Sequence, residues 1–137
     1  MSINHVSDFM DSVVNALSSE YTVYMNPGFK KGIWIELINI KNLSTKHIIS
    51  YFVKFEVRTF VAYDSTISGT NNHIAGFKTL EIVENTLKIE NLSNSSLKEH
   101  KILGIKNTLI SLDRCEGIQS FRLNMEYQSV IRKSLVD

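Results

Sequence analysis

The chain has 137 residues, 43% hydrophobic and 21% charged, with a formal net charge of +1. Such a length suits one domain and is too short for two full cores, and the composition fits neither a disordered chain nor a membrane protein. Near-neutral charge gives no global field to hold a polyanion, and a lone cysteine, Cys115, makes an internal disulfide impossible, as expected of a reducing cytoplasm or a particle assembled there.

The first segment, MSINHVSDFM, lacks a basic region followed by an apolar core, so no signal peptide is expected. Val6, Phe9, Met10, Val13, Val14 and Leu17 instead recur at helical spacing and predict an amphipathic helix, with Asn4 or Ser7 as its cap and Asp8 and Asp11 near its positive end. A short strand is expected over residues 21–25. The segment NPGFKKG, which carries the only proline, reads as a turn or loop tip before the next strand.

Residues 33–40 are apolar on both parities, with Ile33, Ile35 and Leu37 on one side and Trp34, Ile38 and Ile40 on the other. That strand requires cover on both faces, from the helices on one side and from a neighbouring subunit on the other. A polar hairpin over 42–46 leads into the longest strand, 51–64 (YFVKFEVRTFVAYD), where Tyr51, Val53, Phe55, Val57, Val61 and Tyr63 share one parity and Lys54, Glu56, Arg58 and Asp64 lie mostly on the other.

Residues 65–72 (STISGTNN) read as a flexible connection. From His73 a second helix is expected, with Phe77, Leu80, Val83 and Leu87 as its apolar stripe and Ala75, Ile82 and Ile89 beside it; Gly76 weakens it by about 1 kcal/mol relative to alanine. NLSNSS (91–96) breaks that helix. Strands follow over 102–112 and 118–131, joined near 113–117, and the last alternates Phe121, Leu123, Met125 and Tyr127 against Arg122, Asn124, Glu126 and Gln128. The resulting fold class is α+β: a mixed, mainly antiparallel sheet with two helices packed on one face, in the order α-β-β-β-α-β-β, as a single domain over 1–137.

The residues themselves carry no catalytic signature. His5, His47, His73 and His100 lie in four separate segments without a second ligand at metal spacing, and Gly69 and Gly76 stand apart from any Lys-Ser or Lys-Thr of a phosphate loop. Cys115 beside Arg114 reads as an ordinary thiol in a turn. Glu36, Glu56 and Arg58 lack the Asp plus Glu-x-Lys pattern of metal nucleases and read as cross-strand partners. The expectation is therefore a protein that is not an enzyme and uses no cofactor.

In its order of elements the chain resembles the tail-terminator (tail-completion) proteins of tailed bacteriophages, particularly the Mu-like, contractile-tail type. The likeness runs over nearly all of the chain: the helix at Val6, strands around the Pro-Gly turn, the long strand ending in RTFVAYDSTISGTNN, the helix AGFKTLEIVENTLK and the closing FRLNMEYQSVI, whose Tyr127 matches an aromatic near the end of that family's last strand. The resemblance implies a hexameric ring that caps the head-proximal end of the tail tube, stops its polymerisation, joins the tail to the head connector and anchors the sheath. Its implied partners are copies of itself, the tail tube protein, the sheath protein and a head-completion protein, with DNA passing through unrecognised and no membrane contact, in a virion tail assembled in the bacterial cytoplasm. Contacts are expected through strands 33–40 and 51–64 and through Phe29, Lys30, Lys31, Trp34, Glu56, Arg58 and Asp64. Two other classes fit a small α+β domain: a dimeric secretion or effector chaperone, and a toxin-neutralising immunity protein.

Overall fold

A computed structural model of the chain describes residues 4–18, 23–24, 33–62, 69–92, 101–115 and 120–134. Among them are helix α1 (Asn4–Ser18), strands β1 (Val23–Tyr24), β2 (Ile33–Asn42) and β3 (Ile48–Ala62), helices α2 (Gly69–Thr86) and α3 (Ile89–Leu92), and strands β4 (Lys101–Cys115) and β5 (Ser120–Ser134). The five strands make one sheet in the order β1-β2-β3-β5-β4, with β1 parallel to β2 and every other neighbour antiparallel. The α+β class and the order of elements agree with the sequence, with α3 as an additional short helix.

The alternation in β3 and β5 sets the layers. Tyr51, Val53, Phe55 and Val57 of β3 and Leu123, Met125, Tyr127 and Ile131 of β5 are buried on the face that the helices cover. Phe55 occupies its centre: Phe9 of α1 meets it edge-on with ring centroids 5.9 Å apart, and Tyr127 stacks on it at 5.5 Å. Helix α1 presents Val6, Phe9, Met10, Val13 and Leu17 to this core. It starts at Asn4, so Ser7 lies inside the helix and Asp8 and Asp11 sit beyond its first turn.

Helix α2 departs from expectation in three ways. It begins at Gly69, four residues before His73, because adding weak helix formers to an existing helix costs little compared with nucleating one. Its buried line is Gly76, Leu80 and Val83, continued just past its end by Leu87, whereas Phe77 is 47% exposed and faces outward together with Ile74. It also ends at Thr86, ahead of the NLSNSS segment. Asn91 of α3 donates its carboxamide to the carbonyl of Thr86 at 3.0 Å, beside the Lys88 N–H that the same carbonyl accepts at 2.9 Å.

Strand β2 contains a bulge between Leu37 and Asn39. The extra residue shifts the alternation, so Ile40 falls opposite Val53 and packs on the core face with Ile33 and Ile35, not opposite them as simple parity implied. Ile33, Trp34 and Ile35 are all buried within the single chain, so Trp34 does not require the neighbouring subunit expected to cover it; from Leu37 onward the strand is largely exposed. The following hairpin is closed by Leu43 N–H to Ser50 O and Thr45 N–H to Ile48 O, both 2.8 Å, with the Asn42 side chain accepting from Ser44 N–H.

Candidate interaction surface

The helix-free face of the sheet carries the charged residues. Register places Glu36 of β2 opposite Glu56 of β3, and Glu56 opposite Glu126 of β5, so three carboxylates stand in a row across three strands. Like charges in directly opposite positions destabilise a sheet unless cations intervene. Two cations do so diagonally. Arg58 pairs with Glu36 and forks onto Glu56 at 3.1 and 3.2 Å, and Lys54 reaches Glu126 at 3.2 Å.

Glu126 also accepts a 2.9 Å hydrogen bond from the Thr108 hydroxyl. Burial pushes its carboxyl pKa up, but the hydrogen bonds from Thr108 and Lys54 and the Lys54 charge outweigh that and hold it below the usual carboxylate value. At neutral pH Glu126 is therefore ionised, and the row is matched with cations, a surface of mixed sign suited to polar contact. Asn124, buried next to it, donates to Ser111 of β4 at 3.2 Å, and Ser129 donates to the Gly104 carbonyl at 2.6 Å, tying β4 to β5.

The expected contact residues divide three ways. Glu56 and Arg58 lie together on the helix-free face, joined by Glu36, which belongs to the same constellation. Trp34 shares their side of the sheet but is 2% exposed, which removes it from the accessible surface as a contact residue. Phe29, Lys30, Lys31 and Asp64 lie outside the described residues. Strand β3 is hydrogen-bonded along both margins, to β2 and to β5. Sheet extension through it is excluded, and any contact it makes must use its polar face.

The open margins belong to other strands. β1 pairs only with Ile33 and Trp34, which leaves the rest of the outer edge of β2 without a strand partner among the described residues. At the opposite end β4 is the outermost strand among the described residues and pairs there with β5 alone. Leu37, Ile38 and Leu43 are exposed on or beside β2, and Leu103, Leu109, Ile110 and Leu112 are exposed on β4. The sequence marks 102–112 only as a strand and assigns it no face; two bulges, at 102/104 and 107/109, redistribute its aliphatic residues.

Among the described residues no group of three His, Cys, Asp or Glu side chains could hold a metal ion, and no helix is long and apolar enough to cross a membrane. His47 is exposed in the hairpin between β2 and β3.

No protein-family model matches the chain, and no curated protein matches it. Among solved structures, a chain described as part of the virion of a native gene transfer agent particle shares the fold, with a TM-score of 0.55 over 90% of this chain and 91% of that one, at 13% identity. The likeness spans both chains almost end to end and concerns the fold.

Proposed function

We propose that this protein is a structural subunit of a virion-like particle and, more specifically, a tail terminator: a ring of six copies on the head-proximal end of a tail tube. The observation that carries the proposal is the near-complete mutual coverage with a chain of a gene transfer agent virion, since both chains use the whole of this α+β architecture. The order of elements seen in tail-terminator proteins supports the finer assignment.

A ring of this kind needs no bond-making step. Its work is to match the last ring of the tube on one side, block further addition, and offer a different surface to a head-completion protein on the other. Heterologous contacts, in which one face of a subunit meets a different face of the next, are the kind that close into rings. The polar face around Arg58 and Glu56 is the surface proposed to meet neighbouring proteins, with sheath protein as a further partner in a contractile tail, and the particle is assembled in the bacterial cytoplasm.

The test is made in the particle-producing cell. Removing the chain is expected to give tails of uncontrolled length without attached heads, and labelling is expected at the tail end nearest the head. Tails of normal length that join heads in its absence would refute the proposal. A purified dimer that holds an unfolded client, or a tight one-to-one complex with a toxin, would replace it with the chaperone or the immunity protein.

A further inference from the structure

Among the ten large hydrophobic side chains exposed in the described residues, three (Ile74, Phe77 and Ile82) lie on α2 and seven belong to the two margins of the sheet. Both margins contain a stretch without charge: residues 37–40 (LINI) on β2 and 108–112 (TLISL) on β4. Natural edge strands are normally blunted by lysine, proline or a bulge. β4 follows that practice toward its ends, with Lys101, Lys106 and both bulges ahead of Leu109 and with Asp113 and Arg114 after Leu112, and leaves 109–112 bare; β2 carries one such device, the bulge between Leu37 and Asn39.

We infer that this unprotected part of β4 pairs with the 37–40 segment of β2 from a second copy of the chain. Strand direction allows it. The order β2-β3-β5-β4 alternates throughout, so β2 and β4 point in opposite directions. Copies related by rotation about an axis along the strands bring β4 of one against β2 of the next as antiparallel neighbours, keeping all helices on one side. A single molecule thus carries both halves of the contact, and joining them removes two open margins at once.

The contact is the one a closed ring requires and rests on the ring reading only for its closure; the pairing itself is argued from the two margins.

Mixing two edge variants tests this. Ile38→Lys places a charge on the β2 edge and Leu109→Lys on the β4 edge, both at sites about half exposed, so the fold should survive. The wild-type chain is expected to self-associate in sedimentation, and each variant alone to do so about 100-fold more weakly or worse. An equimolar mixture should form a one-to-one dimer and stop there, because each partner contributes one intact edge. Phe77→Lys on α2 should assemble like wild type.

A strictly monomeric wild type, or edge variants that assemble normally, would overturn the inference; so would homodimers of Ile38→Lys, which would reveal β4 pairing with β4. Hydrogen exchange on the unmutated chain gives an independent readout: amides in 37–40 and 109–112 should gain protection with concentration, and unchanged exchange there refutes the pairing. The two proposals fail separately. Edge-dependent assembly of a chain absent from particles supports this inference and refutes the terminator, whereas tail-end location with edge-independent assembly does the reverse.

Discussion

Replacing Arg58 with methionine tests whether the carboxylate row is held by its counter-charges. Arg58 is the only cation that touches both Glu36 and Glu56 among the ion pairs described, and its side chain is 18% exposed beside a Glu56 that is 17% exposed. Hydrogen bonds to charged groups contribute about 1.5–3 kcal/mol each when desolvated, and solvent screening at this exposure places the net nearer the lower end. Leaving Glu36 and Glu56 directly opposite without Arg58 adds about 0.2–1 kcal/mol of repulsion, while the methionine retains the packing of the arginine stem.

The expected loss is therefore about 2–3 kcal/mol, a fall in Tm on the order of 6–12 °C for a chain of this size. Urea denaturation followed by circular dichroism should show a lower midpoint with an unchanged slope, the mark of altered stability without altered compactness. Adding Glu56→Gln to Arg58→Met should recover about 1 kcal/mol by removing a stranded charge, and Arg58→Lys should fall between wild type and methionine because it keeps charge but loses the fork. A Tm for Arg58→Met within about 2 °C of wild type would refute the reasoning.

Phe55→Ala removes the ring between Phe9 and Tyr127 and should cost about 3–5 kcal/mol, seen as a Tm fall on the order of 10–18 °C; a loss under 1 kcal/mol would show that Phe55 is not central. Burial pushes the Tyr127 phenol well above its usual value, so its share of stability is complete below pH ~10 and lost as pH rises beyond that. Its phenolate absorbance should appear only as the chain unfolds, and Tyr127→Phe should abolish that component; ionisation in the folded state contradicts the placement. The lowered Glu126 carboxyl gives stability that is present above its unfolded value and lost as pH falls through the folded one. Thr108→Val should weaken this acid sensitivity, and an identical pH profile for the variant would remove Thr108 as a cause.

Much of the fold was legible because its longest strands are half-buried. Tyr51, Val53, Phe55 and Val57 alternate with Phe52, Lys54, Glu56 and Arg58 without interruption, and a single wet face produces that pattern. The α1 stripe was equally clear, since every large residue on it enters one core. α2 was less so: Ile74, Phe77 and Ile82 put apolar residues on its outer side, so spacing selected Phe77 where Gly76 is the buried residue.

The bulges in β2 and β4 left no local mark, for an extra unpaired residue is defined by its partner strand, and so the side to which Ile40 turns was misread. Strand order is likewise tertiary. The insertion of β5 between β3 and β4 makes β3 central, which closes the margin that its length suggested was open, and makes β4 the edge. Of the expected contacts, Glu56 and Arg58 gather on one face because alternation places them there, while Trp34 is buried on the same side, as the apolar residues on both parities of its strand implied.

Native mass spectrometry of the purified, unmutated chain over a concentration series tests the central claim most directly. Docking of sheet margins between copies predicts growth from 15.6 kDa to a closed species of about 94 kDa, six copies, without an open-ended ladder beyond it. A chain that remains at 15.6 kDa throughout, or that stops at a two-fold dimer, would contradict it.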